Sequence, residues 1–193
     1  LAGTASGSAS NLTINTTGAV TVSSTIGTDI GTLTITNSGG TTFSGAVGSS
    51  SDSLASLVLT ATTGTIEFSN NLYTTAITNS GGSFALKLYG DTTQISNAAT
   101  FGTSGAVYLG DASGDSLTFT NGLTATAPST KYLAGTIAAN NATSVINLGT
   151  TAVSVLADTT LGGSATGTIT LGATTIADGV TLTIGTGIAN AIS

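Results

Sequence analysis

The chain has no cysteine and no histidine among its 193 residues. The absence of cysteine excludes a disulfide framework and a thiolate metal site. Without either residue, neither a Ser-His nor a Cys-His nucleophile pair can form. The sequence also lacks methionine and does not begin with a basic, apolar leader, so we expect a processed product or a segment of a longer repeat protein.

Charge is scarce in this sequence. Only 5% of the residues are charged, against about 25% in an ordinary globular domain. Lys87 and Lys131 are the only basic residues, and the net charge is −6. Because phosphate binding requires clustered cations, we expect no nucleic-acid partner. No apolar run approaches the roughly 18 residues of a spanning helix, so we also expect no membrane span.

Threonine and glycine dominate what is present, with 42 and 27 residues respectively. The composition is not that of a disordered chain, since 39% is hydrophobic and proline occurs once, as Pro128. Apolar and hydroxyl side chains alternate in short runs such as Leu33–Thr36 and Leu117–Thr120, the pattern of half-buried strands. No window shows a helical period, so the sequence predicts an all-β protein.

An internal repeat sets the expected architecture. Ile35-Thr-Asn-Ser-Gly-Gly40 recurs unchanged as Ile77–Gly82, and Leu12-Thr-Ile14 recurs as Leu33-Thr-Ile35 at half that spacing. A short period that drifts slightly from one copy to the next is typical of a β-solenoid. We therefore predict a parallel β-helix with roughly 21 residues per coil, in which residues 1–193 form one open-ended domain of about nine coils.

The repeat also predicts which residues stack. Ile35, Ile77 and Phe119 should form an inward ladder on every second coil. One corner should be occupied by asparagines, which tolerate left-handed geometry. The expected corner set is Asn37, Asn79 and Asn121. An antiparallel sandwich or barrel is the alternative fold, because it too has short strands between turns, but it does not require identical segments at a long period.

Three segments follow the patterns SLxxLxLTA, GxxxF and GAV: Ser53–Ala61, Gly64–Phe68 and the end of Leu33–Val47. They resemble the repeats of filamentous haemagglutinin-like exoproteins and autotransporter passenger domains. The resemblance extends over most of the chain. It implies a right-handed parallel β-helix, export across an outer membrane, and a role in adhesion, biofilm formation or a surface coat.

The eight acidic residues are the remaining candidates for catalysis or metal binding. Glycan-cleaving enzymes need paired carboxylates, but these acids are scattered at expected turns, so we predict that the protein is not an enzyme. Asp111 and Asp115 flank a glycine-containing turn and could share a calcium ion through carboxylate and carbonyl oxygens. Apart from that calcium candidate, we expect no metal and no cofactor.

Two other residue types suggest a binding surface. Thr-x-Thr pairs would form flat ranks, as in ice-binding solenoids, if a pair stood in register on nearly every coil. The pairs are Thr34/Thr36, Thr118/Thr120, Thr168/Thr170 and Thr181/Thr183. Tyrosines would form a sugar-binding aromatic strip if they were aligned. The tyrosines are Tyr73, Tyr89, Tyr108 and Tyr132.

These patterns favour a non-enzymatic structural or adhesive component of a bacterial extracellular fibre or surface layer. We expect it to be secreted or held at the cell surface, and to assemble through stacked β-coils. Its partners would be copies of itself or adjacent repeats, meeting end to end, because edge strands invite pairing. The alternative is a glycan- or ice-binding adhesin module that uses flat threonine-rich faces, with surface glycans as partners.

Overall fold

The computed structural model describes residues 1–3, 8–27, 29–60, 62–186 and 190–193. Ala61, the last residue of the segment Ser53–Ala61 that carries the family resemblance, therefore lies outside the described residues. The described residues form nineteen strands and no helix. Parallel strands stack as a β-solenoid of about eight turns with about 22 residues per turn. The predicted fold class is confirmed, with slightly longer and fewer coils than the sequence suggests.

The strands of successive coils stack into three parallel faces. Face 1 contains β1 (Ser10–Asn15), β3 (Ile30–Asn37), β5 (Leu54–Leu59), β10 (Ala99–Thr100), β13 (Leu123–Thr124), β15 (Ile146–Asn147) and β17 (Ile169–Thr170). Face 2 contains β2 (Ala19–Val22), β4 (Gly40–Phe43), β6 (Thr65–Phe68), β8 (Ala85–Leu88), β11 (Val107–Leu109) and β18 (Thr174–Ile176). Face 3 contains β9 (Thr92–Ile95), β12 (Ser116–Phe119) and β19 (Leu182–Ile184).

Three longer strands pass from one face to the next without a break. β7 (Leu72–Asn79) joins face 3 to face 1, while β14 (Thr130–Ala138) and β16 (Ala152–Gly162) join face 2 to face 3. In β14 the pairing register shifts at Gly135, whose φ is 76°. A Cβ there would lie 2.4 Å from the backbone oxygen of Asp115, so only glycine fits this close approach.

Inward side chains form continuous columns that cross the coils. On face 3 the column is Ile26, Val47, Leu72, Thr93, Leu117, Ile137, Leu161 and Ile184. On face 2 the rings of Phe43 and Phe68 stack with centroids 4.8 Å apart, which is the spacing of neighbouring strands. Since one coil cannot enclose its own inward side chains, burial comes from the coils on either side.

The repeated hexapeptides do not stack as the sequence predicts. Leu33 and Ile77 occupy the same column two coils apart, although the hexapeptide repeat would align Ile77 with Ile35. Phe119 lies on face 3 against Ile95, outside both columns. Coils differ in length by several residues at their corners, so a constant period does not identify the residues that stack on one another. A shift of two residues keeps each side chain on its inward or outward side.

The three asparagines expected to share one corner lie at different places, which corrects that prediction. Asn37 pairs with Asn15 at the end of β3. Asn79 points inward, where it pairs with Leu59 and is only 7% exposed. Asn121 is exposed in the turn that follows β12. The two-residue shift places Asn79 in the column of Ile35 and Leu59, whereas Asn121 follows a strand of face 3 rather than of face 1.

Other Asn and Asp side chains tie one coil to the next. Each Oδ1 atom accepts a hydrogen bond of 2.8–3.1 Å from a backbone N–H group one coil further along. The acceptor and donor pairs are Asn11 with Thr32, Asn71 with Thr92, Asn140 with Ser164 and Asp158 with Thr181. These side chains satisfy amides at the corners, where strand pairing is interrupted. None of the described residues belongs to a helix long and apolar enough to cross a membrane.

A buried hydroxyl on face 3 gives a test of this packing. Thr93 is 1% exposed between Leu72 and Leu117, and its Oγ1 has no hydrogen-bond partner among the described residues. Replacing it in Thr93→Val removes the unsatisfied group while keeping the shape. We expect the free energy of unfolding in urea to rise by about 1 kcal/mol.

Thr74→Val is the matched control, since the Oγ1 of the buried Thr74 donates a 2.9 Å hydrogen bond to the backbone oxygen of Ala76. This variant should lose stability. If Thr93→Val and Thr74→Val lower the urea midpoint equally, the packing described for Thr93 is incorrect.

Candidate functional site

Three of the four tyrosines lie together on the solvent side of face 2. Glu67, Lys87, Tyr108 and Tyr132 are direct partners in one outward column, carried by β6, β8, β11 and β14 in turn. Tyr89 lies beside this column, two residues after Lys87. We call these five residues the tyrosine cluster. Their side chains stand on consecutive coils, so the backbone fixes their separation.

The rings of the tyrosine cluster are in direct contact. Tyr108 and Tyr132 are stacked, with centroids 4.3 Å apart and planes 14° from parallel. Tyr89 meets Tyr108 edge to face, with centroids 5.9 Å apart and an angle of 84°. The Lys87 Nζ lies 5.2 Å from the Tyr89 centroid and 5.6 Å from the Tyr108 centroid. Both distances allow a cation–π attraction.

The charges of the cluster are paired within it. The Lys87 Nζ lies 3.2 Å from the Glu67 Oε2, the one ion pair in the described parts of the chain. The Glu67 Oε1 accepts a 2.8 Å hydrogen bond from the Ser69 hydroxyl. Burial raises the pKa of Tyr89 to about 12, with smaller contributions from Tyr108 and nearby carboxylates. The phenol of Tyr89 is therefore neutral and able to donate a hydrogen bond at physiological pH.

The fourth tyrosine does not join the cluster. Tyr73 is on the outward side of face 3, where it pairs with Gln94. From the sequence, all four tyrosines were candidates for an aromatic strip if they were aligned. The structure brings three of them together. Their alignment could not be predicted from the sequence, because the step from Lys87 to Tyr108 is shorter than the step from Tyr108 to Tyr132.

A column of hydroxyl groups runs along face 3. Its members are Thr92, Ser116, Thr136, Thr160 and Thr183. A hollow of about 310 Å³ lies beside its far end, lined in part by Asp158, Thr160 and Thr181. This column combines residues from five coils. Sequence reasoning missed it because the number of intervening residues changes from coil to coil.

The predicted Thr-x-Thr ranks are interrupted. Thr34 is followed in its column by Val58, and Thr118 lies between Gln94 and Ala138. The structure therefore provides a hydroxyl column one residue wide on face 3, without a continuous second column at its side. A flat surface with threonine pairs on every coil is absent from the described strands on which these residues lie.

The calcium candidates Asp111 and Asp115 form a turn. The Asp115 Oδ2 accepts hydrogen bonds from the backbone N–H groups of Asp111 and Ala112, at 2.8 and 3.0 Å. Burial and the neighbouring Asp115 carboxylate raise the pKa of Asp111. The described residues contain no group of three or more His, Cys, Asp or Glu side chains placed for a metal ion. Calcium binding by this pair remains a prediction.

Lys131 occupies a position that the sequence analysis did not single out. It faces the core of face 2 in a column with Val107 and Val153, and it is fully buried. Its Nζ donates hydrogen bonds to the backbone oxygen of Thr151, at 2.9 Å, and to the Thr151 hydroxyl. No described carboxylate forms an ion pair with it. Burial lowers the pKa of Lys131, because the charged ammonium group is poorly solvated there.

The surfaces described above offer groups for contact with another molecule. The tyrosine cluster offers aromatic faces and hydrogen-bonding groups, and the face 3 column offers hydroxyls. Searches of protein-family models, of curated proteins and of solved structures each found no match to this chain.

Lys131 gives a prediction about stability and pH. We expect Lys131→Met to raise the free energy of unfolding at neutral pH by about 1–3 kcal/mol, because it replaces a buried cation with an apolar side chain. The folded protein binds the Lys131 proton less tightly than the unfolded chain does. Wild-type stability should therefore rise with pH between the lowered folded pKa and the unfolded value of about 10.4. Urea unfolding at several pH values measures both effects.

Lys87→Met is the matched control on the outer side of the same face. Its ammonium group is partly exposed, so its loss should change stability by well under about 1 kcal/mol. A Lys131→Met variant that keeps the full wild-type pH dependence would show that Lys131 is not the group responsible.

Proposed function

We propose that this protein is a non-enzymatic structural or adhesive rod of a bacterial extracellular fibre or surface layer. In this role, further β-coils stack on its two ends, supplied by another copy or by neighbouring repeats. The observation that supports the proposal is the unsatisfied state of the end coils. The extracellular and bacterial parts rest on the resemblance to exported surface repeats and on a surface that uses hydroxyl groups in place of charge.

The coil at the C-terminal end exposes inward-type side chains. Ile176 is 49% exposed and Ile192 is 59% exposed. Their column partners one coil earlier, Val155 and Ile169, are 0% and 1% exposed. The side chains are of the same kind, but no further described strand stacks on Ile176 and Ile192. Covering them would bury apolar area and so favour association.

The coil at the N-terminal end also has partly exposed apolar side chains and strands that pair on one side only. Among the described strands, β1 and β2 each pair with one neighbour only, so no described strand lies on their other side. Leu12 and Val20 are partly exposed, whereas Leu33, the next member of the Leu12 column, is fully buried. Unpaired strand edges of this kind are ready templates for pairing with another chain. The two ends are parts of one continuous stack, so they suit head-to-tail contact.

The alternative, an adhesin module that binds glycan or ice through flat threonine faces, has one supporting observation. The hydroxyl column on face 3 continues through five coils. Its neighbouring outward positions include Gln94, Ala138 and Gly162, so a regular two-column surface does not form. The rod proposal is better supported, because its evidence comes from both ends and from several columns.

End-to-end stacking can be tested on the purified chain. We expect its weight-average mass in sedimentation velocity to rise with concentration, and electron micrographs to show unbranched filaments. The double variant Ile176→Lys/Ile192→Lys places two cations on the exposed end and should remain monomeric at the same concentrations. Charge on this surface would have to be desolvated on stacking, which is unfavourable.

Leu156→Lys is the control for a general effect of added charge. Leu156 is 47% exposed in the next-to-last coil, on the side of the rod rather than at its end. This variant should assemble like the wild type. A wild-type chain that stays monomeric at the highest attainable concentration, with no filaments, would contradict the proposal.

A further inference from the structure

The tyrosine cluster is a surface whose shape is set before any ligand arrives. Tyr108 and Tyr132 are half-buried, and each is a direct partner of the other across neighbouring strands β11 and β14. The edge contact from Tyr89 and the position of Lys87 hold the stacked pair from its other side. A ligand that binds such a fixed surface loses little affinity to the ordering of side chains.

The order of residues in the column places a short side chain beside one aromatic face. Tyr108 has Tyr132 against one face, and Lys87 lies on the preceding coil. The opposite face of Tyr132 is directed along the rod towards the next coil, where Ser154 is its column partner. Thr175 follows Ser154 on the last coil. The short side chains of Ser154 and Thr175 leave a recess beside the Tyr132 ring, which we call the shelf. The face of the Tyr132 ring forms one side of the shelf, and the two hydroxyl groups form its base.

The charges near the shelf and on the whole chain restrict what the shelf can hold. The Lys87 ammonium group is already paired with Glu67, and the whole chain carries a net charge of −6. An anionic polymer would therefore be repelled. A neutral sugar suits both surfaces of the shelf. The C–H groups on one side of a pyranose ring pack on the electron-rich face of an aromatic ring, and its hydroxyls bond to polar groups at the edge.

We propose that the shelf formed by Tyr132, Ser154 and Thr175 binds a sugar unit of a neutral polysaccharide, with Tyr89 and Tyr108 supporting the Tyr132 ring. The ligand lies on the side of the rod, so this site does not depend on end-to-end stacking. It would give the rod an adhesive surface distinct from its ends. The observation that carries the proposal is the stacked ring pair that ends at a serine.

Native gel electrophoresis with a soluble polysaccharide in the gel tests the site directly. The sequence pI is about 4.1, so the protein migrates as an anion at pH 8. The probes are xyloglucan, galactomannan and mixed-linkage β-glucan as neutral polymers, with alginate as an anionic one. We expect at least one neutral polymer to retard the wild-type protein, and alginate to leave its mobility unchanged.

Two variants separate a binding role from a structural one. Tyr132→Ala removes the aromatic wall and should weaken the apparent affinity by about tenfold. Ser154→Arg keeps every aromatic ring, but the new guanidinium group should stack on Tyr132 and fill the shelf. We expect this variant not to be retarded by the polysaccharide, while its thermal unfolding midpoint stays near the wild-type value. Tyr132→Phe keeps the ring and should retain most of the binding.

Tyr73→Ala is the matched control, because Tyr73 is an outward tyrosine on face 3, away from the cluster. It should be retarded like the wild type. The proposal is overturned if no neutral polymer retards the wild-type protein, if alginate alone does so, or if folded Ser154→Arg binds as well as the wild type. None of these outcomes bears on filament formation, which is measured separately.

Discussion

The structure depends on one constraint: a single coil of this chain cannot bury its own inward side chains. The backbone bonds of each strand are made to the coils before and after it, and the apolar columns close only when coils lie in register. Val155 and Ile176 show the consequence, since they share a column and differ from 0% to 49% exposure. Stacking is therefore the source of the core.

The same constraint divides the sequence into two sets of positions. Inward positions are mostly apolar, and Lys131 shows how a cation is accommodated there, by hydrogen bonds to Thr151. Outward positions face the solvent, and the stack places them in columns at the spacing of neighbouring strands. Tyr108 and Tyr132 stack for this reason.

Strand alternation predicted an all-β chain, because period-2 patterning reports which side of a strand is buried. The drifting repeat of about 21 residues then predicted the solenoid. The exact column of each residue was not predictable. Ile77 and its copy Ile35 differ in register by two residues, a shift that alternation cannot detect since it preserves the inward side. The tyrosine cluster was hidden for the same reason: corner insertions change the step from coil to coil. The length of β14 was also not predictable from the sequence, since Gly135 interrupts its alternating pattern.

Coil-on-coil register is tested most directly by pairs of introduced cysteines, because the native chain has none. Thr136 and Thr160 are outward partners on neighbouring coils, so their Cα atoms should be about 5 Å apart, within the range for a disulfide. Thr136 and Thr183 lie two coils apart, at about 10 Å. On mild oxidation, Thr136→Cys/Thr160→Cys should form an intramolecular disulfide, and Thr136→Cys/Thr183→Cys should keep two free thiols. Free thiols in the first folded variant, or a disulfide in the second, would contradict the stacked arrangement.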